Sequence, residues 1–172
     1  ALQQNTTGNL NVAVGSHALD ANTSGAGNTA VGDDSLSSNT TANNNTGIGH
    51  KSFFNNTTGA NNTGVGLYSG LNTTTGGSNT AIGAFALDAN TTGDSMVAVG
   101  KDALGANTTG VGNTALGKGA LASSTTANNN TAVGTHALNA STTAVQNVVV
   151  GAFAGDAITT GNKYSAKEYA EA

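Results

Sequence analysis

An aliphatic residue followed by glycine recurs at a fixed interval of 17 residues: Val14-Gly15, Val31-Gly32, Ile48-Gly49, Val65-Gly66, Ile82-Gly83, Val99-Gly100, Leu116-Gly117, Val133-Gly134 and Val150-Gly151. The nine copies keep this register without a slip. Other hydrophobic and polar positions fall into columns around it. The residue before the aliphatic is small or valine (Ala13, Ala30, Gly47, Gly64, Ala81, Ala98, Ala115, Ala132, Val149). Beyond the glycine comes an Ala or Ser column, then Leu2, Leu19, Leu36, Phe53, Leu87, Leu104, Leu121 and Leu138. Gly70 and Gly155 interrupt that second column, and a local shift is expected to bring Leu71 into the first gap. The other half of the unit is polar, an Asn-Thr-Thr-Gly run whose first threonine is unbroken from Thr6 to Thr159. An asparagine column, Asn11 to Asn147, is broken only at Met96.

A fixed period of this kind signals stacked repeats. Seventeen residues are too few for two packed helices, and Asn, Thr and Gly are poor helix formers. Thr-Ala-Val and Thr-Thr favour extended chain, while Gly and Asn supply turns. The pattern therefore predicts an all-β chain: a parallel β-solenoid, or β-roll, of 17-residue coils, each with two short strands and two turns. Coils stacked about 4.8 Å apart place each residue against its equivalents 17 before and 17 after. The expected core ladder is the marker column: Val14, Val31, Ile48, Val65, Ile82, Val99, Leu116, Val133 and Val150. The small residues preceding them alternate with that ladder; small side chains also suit a tight coil interior, but the expected stalk helix favours a face turned to a neighbouring chain. Asparagine columns are expected to form amide ladders.

The repeat covers residues 1–162. Ala1-Leu2 match Ala18-Leu19, so the chain opens in mid-repeat, as an excised piece of a longer one would. After Tyr164 the pattern changes. Ser165-Ala166-Lys167-Glu168 reads as a capping box, with Tyr164 and Tyr169 at the staple positions. A helix is expected from about Ala166, making 163–172 the start of a helical, coiled-coil stalk or tail.

Composition narrows the class of function. Charged residues are only 8%, there is no Arg, and the net charge is −4, which argues against a nucleic-acid partner. No apolar run reaches membrane-spanning length. The absence of Cys excludes disulfides and thiolate chemistry. Neither cofactor nor enzymatic activity is expected. His17 and His136 share a column seven coils apart, roughly 33 Å, which argues against a metal centre built from the histidines. Asp33 and Asp34 are adjacent, and neighbours on a strand point to opposite faces, so they do not read as an acid/base pair.

Units such as Asn-Thr-Ala-Ile-Gly-Ala-Phe-Ala-Leu (79–87) resemble the head repeats of trimeric autotransporter adhesins, of the hemagglutinin/invasin type. The Asn-Thr-Thr-Gly half is more similar to repeats in bacteriophage tail-fibre proteins. The resemblance implies a parallel β-roll, three chains side by side and an adhesive role on a virion or bacterial surface. The head repeats of that family are shorter than 17 residues.

Any binding is expected from the variable positions. The two residues after the marker glycine are the least constrained, and the second column reads His17, Asp34, Lys51, Tyr68, Phe85. Stacking places Asp34 between His17 and Lys51, and Tyr68 beside Phe85. The functional expectation is an extracellular homotrimeric fibre segment, a rigid spacer with a candidate receptor- or glycan-binding surface. The alternative is an ice-binding solenoid using ranked threonines.

Overall fold

The computed structural model describes residues 1–163 and 165–167. Each coil contributes one three-residue strand: β1 (Val12–Val14), β2 (Thr29–Val31), β3 (Thr46–Ile48), β4 (Thr63–Val65), β5 (Thr80–Ile82), β6 (Val97–Val99), β7 (Thr114–Leu116), β8 (Thr131–Val133), β9 (Val148–Val150) and β10 (Ser165–Lys167). They form a single sheet in chain order. Pairing is parallel with a constant 17-residue offset, as in Ala30 opposite Gly47 and Val31 opposite Ile48. The described residues are thus an all-β parallel solenoid without a helix.

Two expectations about the elements are corrected. The second half of each coil is not a strand but a run of bends. It is tied to the next coil mainly through one carbonyl: Thr23 O accepts from the backbone N–H groups of both Thr6 and Thr7. The hydroxyl of the first threonine adds a third bond, as from Thr23 Oγ1 to Thr40 O at 3.1 Å. At the other end, Ser165, Ala166 and Lys167 pair with Val148, Val149 and Val150 as a tenth strand rather than opening a helix. The sheet edge at β9 offers backbone partners that a three-residue helix start lacks. The rest of the expected capping box, Glu168 with Tyr164 and Tyr169, lies outside the described residues.

The orientation of the strands is the larger correction. Successive side chains on a strand face opposite ways, so its middle residue is the odd one out. That residue faces inward: Ala30, Ala81, Ala98, Ala115, Ala132 and Val149 are buried in the single chain. The marker column faces outward instead. Val14, Ile48, Ile82, Leu116 and Val150 are exposed, while Val31, Val65, Val99 and Val133 are half-buried. The small-residue column is therefore the coil's own interior and is not available as a contact between chains.

Volume explains the choice. The Leu column already fills the coil interior, with Leu19, Leu36, Leu87, Leu104, Leu121 and Leu138 all buried. Opposite it there is space for a methyl group or less: a Cβ on Gly47 would stand 3.1 Å from Leu36 Cγ. Burying each leucine is worth about 1.5–3 kcal/mol. The Leu positions are left-handed, for instance Leu87 at φ 56°, a conformation that costs roughly 1–2 kcal/mol and is offset by that burial. The marker glycines sit near φ 130° and stack backbone on backbone; a Cβ on Gly83 would lie 2.7 Å from Gly100 C.

Two asparagine columns complete the interior. In one, Asn39 Nδ2 donates to Asn22 Oδ1 at 2.9 Å and Asn56 Nδ2 donates to Asn39 Oδ1 at 3.0 Å. In the other, the side-chain oxygen accepts from the next backbone, as Asn62 Oδ1 does from Asn79 N at 2.9 Å, while Asn79 Nδ2 donates to Gly93 O at 2.9 Å. These amides satisfy turn groups that would otherwise be buried without partners, a cost of about 1–3 kcal/mol each.

Candidate functional site

The turn after each marker glycine carries most of the chain's chemical variety. Its two positions form adjacent columns, and the second is left-handed throughout: His17 (φ 49°), Asp34 (56°), Lys51 (53°), Tyr68 (56°) and Phe85 (59°). That conformation, repeated coil after coil, raises these side chains as one ridge along the stack.

The five residues predicted from sequence do stand in line. His17 Nδ1 lies 3.5 Å from Asp34 Oδ1, and Lys51 Nζ lies 3.8 Å from Asp34 Oδ2. The rings of Tyr68 and Phe85 are 5.4 Å apart, tilted by 51°. The first column adds residues outside that list. His50 Nδ1 is 3.4 Å from Asp33 Oδ2, and the His50 ring is 5.4 Å from that of Tyr68. Lys51 Nζ sits 5.2 Å above the centre of the Phe54 ring. Further along, His136 and Phe153 stack with ring centres 5.5 Å apart. The sequence holds a signal for His50 and Asp33, because both turn positions vary from coil to coil, but their pairing across coils depends on the turn geometry.

Asp33 and Asp34 are also placed differently from expectation. They lie in a turn, not a strand, so their carboxylates converge instead of diverging. One ligand atom each from His17, Asp33 and Asp34 lies within 4.8 Å of the other two. The ion pairs on this ridge are partly or largely open to solvent, and exposed pairs contribute only about 0–1 kcal/mol each.

A second surface lies on the sheet's outer face. There the marker column runs beside the first strand positions, Thr29, Thr46, Thr63, Thr80, Thr114 and Thr131, with Val12, Val97 and Val148 in the same rank. The result is a strip of aliphatic side chains, 57% exposed at Val14, 46% at Leu116 and 38% at Ile82. The Thr-Thr run presents one exposed rank, including Thr41, Thr58, Thr75, Thr92, Thr109, Thr126 and Thr143, because its first hydroxyls are engaged between coils.

No family model, curated protein or solved structure matches the chain. Among the described residues no helix is long and apolar enough to cross a membrane.

Proposed function

We propose that the chain is a rigid segment of an extracellular fibre, carried on a virion or a bacterial surface, in which three copies pack side by side. The observation that carries this reading is the aliphatic strip on the outer sheet face. Apolar side chains repeat there at every coil, in a chain whose surface is otherwise mostly Asn, Thr, Ser and Gly apart from the ridge and a few scattered apolar residues. Contiguous exposed apolar strips mark interaction surfaces. A strip that repeats with the coil also matches another copy of itself in register along its whole length, as symmetric assembly requires. The resemblance to adhesin head and tail-fibre repeats supports three as the number of copies. In this arrangement the side-chain ridge remains free to meet a receptor or glycan, and the reading is structural and adhesive rather than enzymatic.

One feature supports ice binding as a second reading. The strand threonines and the marker aliphatics form parallel ranks on one regular face, repeated once per coil. Light scattering separates the two. The fibre reading expects a particle of three 16.6 kDa chains at micromolar concentration, without thermal hysteresis. A monomer that depresses the freezing point below the melting point would replace it with the second reading, and a monomer without hysteresis would remove both.

A further inference from the structure

We propose that the turns bearing His17, Asp33 and Asp34 form a site for a divalent transition-metal ion of the zinc type. Three side chains from two successive coils make up the site, and it needs no second copy of the chain. Asp33 and Asp34 bring two carboxylates together in one turn, and His17 approaches them from the preceding coil, while His50 pairs with Asp33 from the following coil and lies outside this group.

The distances favour an ion over direct pairing. A charge-assisted hydrogen bond between imidazole and carboxylate closes to about 2.7–2.9 Å. Here the nitrogen and oxygen stand off at 3.5 Å for His17–Asp34, and the contact of His17 Nδ1 with Ser16 Oγ at 3.0 Å is one the ion would replace. Ligands bound 2.0–2.1 Å from a tetrahedral zinc are about 3.3–3.4 Å from one another. His17 and Asp34 already hold about that separation, and one ligand atom each from His17, Asp33 and Asp34 lies within 4.8 Å of the other two, so a small inward movement of the turn completes the three-ligand set.

Charge points the same way. Two carboxylates meet a single ammonium, that of Lys51, which lies 3.8 Å from Asp34 Oδ2 and leaves Oδ1 turned to His17. The chain contains no arginine that could occupy the gap with a bidentate fork. A mixed imidazole and carboxylate set selects zinc or its neighbours, whereas calcium and magnesium take oxygen ligands.

The test uses the chelator-stripped 172-residue chain, titrated with zinc chloride by calorimetry and with cobalt(II) followed by visible absorption. The expected result is one ion per chain and intense tetrahedral cobalt bands that zinc displaces. His17→Asn keeps a residue that tolerates the left-handed turn. It and Asp33→Asn should each weaken zinc binding by at least the roughly tenfold that loss of even an outer partner costs. His136→Asn, remote along the ridge, should leave it unchanged. Absence of saturable binding overturns the proposal. So does a His17→Asn variant that binds like the parent, or loss of binding in His136→Asn. Circular dichroism before titration confirms that each variant keeps its coils, with Asp34→Asn taking the place of one that does not.

Discussion

At the scale of single residues, the interior depends on amides whose partners are 17 positions away, and the breaks in those columns show what each amide contributes. Asn107 Nδ2 reaches Asn90 Oδ1 at 3.3 Å, but Asn107 Oδ1 has no partner because the next position is Ser124, whose hydroxyl is also buried without one. Ser124→Asn should extend the ladder by one bond. The gain is about 1 kcal/mol, or roughly 2–4 °C in thermal midpoint for a chain this long. A midpoint at or below the parent's would show that the ladder is not the stabilising element. Asp88 gives a pH-dependent case. Burial raises its carboxyl above the ordinary value, the charge of Asp102 adds to this, and backbone hydrogen bonds from Asp88 and Ala89 pull partly back. The folded chain therefore holds this proton more tightly than the unfolded one, and ionised Asp88 opposes folding. That penalty is fully present above the raised value and is relieved as pH falls through it towards the ordinary one. Asp88→Asn, which copies the asparagine found in the same column at Asn139, should melt higher than the parent at pH 7. Its advantage should shrink on acidification; thermal melts showing a pH-independent difference would contradict this.

At the scale of the coil, the unit accommodates departures from its pattern by trading volume with its neighbours. Phe53 takes the place of leucine, and glycine stands at both adjoining positions: a Cβ on Gly70 would lie 2.4 Å from Phe53 Cε1, and one on Gly64 2.7 Å from Cδ2. The ring thus fills the gap at Gly70, while Leu71 stays half-buried in its own column without the expected shift. Gly155 is answered in the same way by Val149, whose methyl carbons stand 3.3 Å from where a Cβ would be. Gly70→Leu alone should destabilise by at least about 1–3 kcal/mol through overpacking, and Phe53→Leu alone should lose packing. Together they restore the column, and a double-mutant cycle by denaturant unfolding should show a favourable coupling of about 0.5–3 kcal/mol. Additive losses would contradict the exchange. Much of this level was legible in the sequence. The period, the parallel register, the amide ladders and the alignment of His17 with Asp34 and Tyr68 with Phe85 follow from spacing alone. Which strand face points inward did not follow, because alternation fixes only that neighbouring residues differ. The answer depended on the Leu column having filled the interior already. The geometry at Asp33 and Asp34 was hidden for a related reason: the left-handed turn at Asp34 has no signature in a residue that also suits a strand end.

At the scale of the whole molecule, an interior of Leu, Ala and Asn columns leaves the largest β-branched residues on the outside. The interior of the single chain is filled by its own columns, and its aliphatic strip is exposed on the outer sheet face. The fibre reading and the corrected strand orientation meet at Ile82, which sits on that strip at mid-stack, next to the fully buried Ala81. An aspartate there would be solvated in the lone chain and buried in the assembly, where an unpaired charge is strongly unfavourable. The most direct test is the particle mass of the Ile82→Asp variant, measured by light scattering beside the parent on samples whose circular dichroism matches. The account predicts three chains for the parent and one for the variant. A variant that retains the mass of three chains would contradict it.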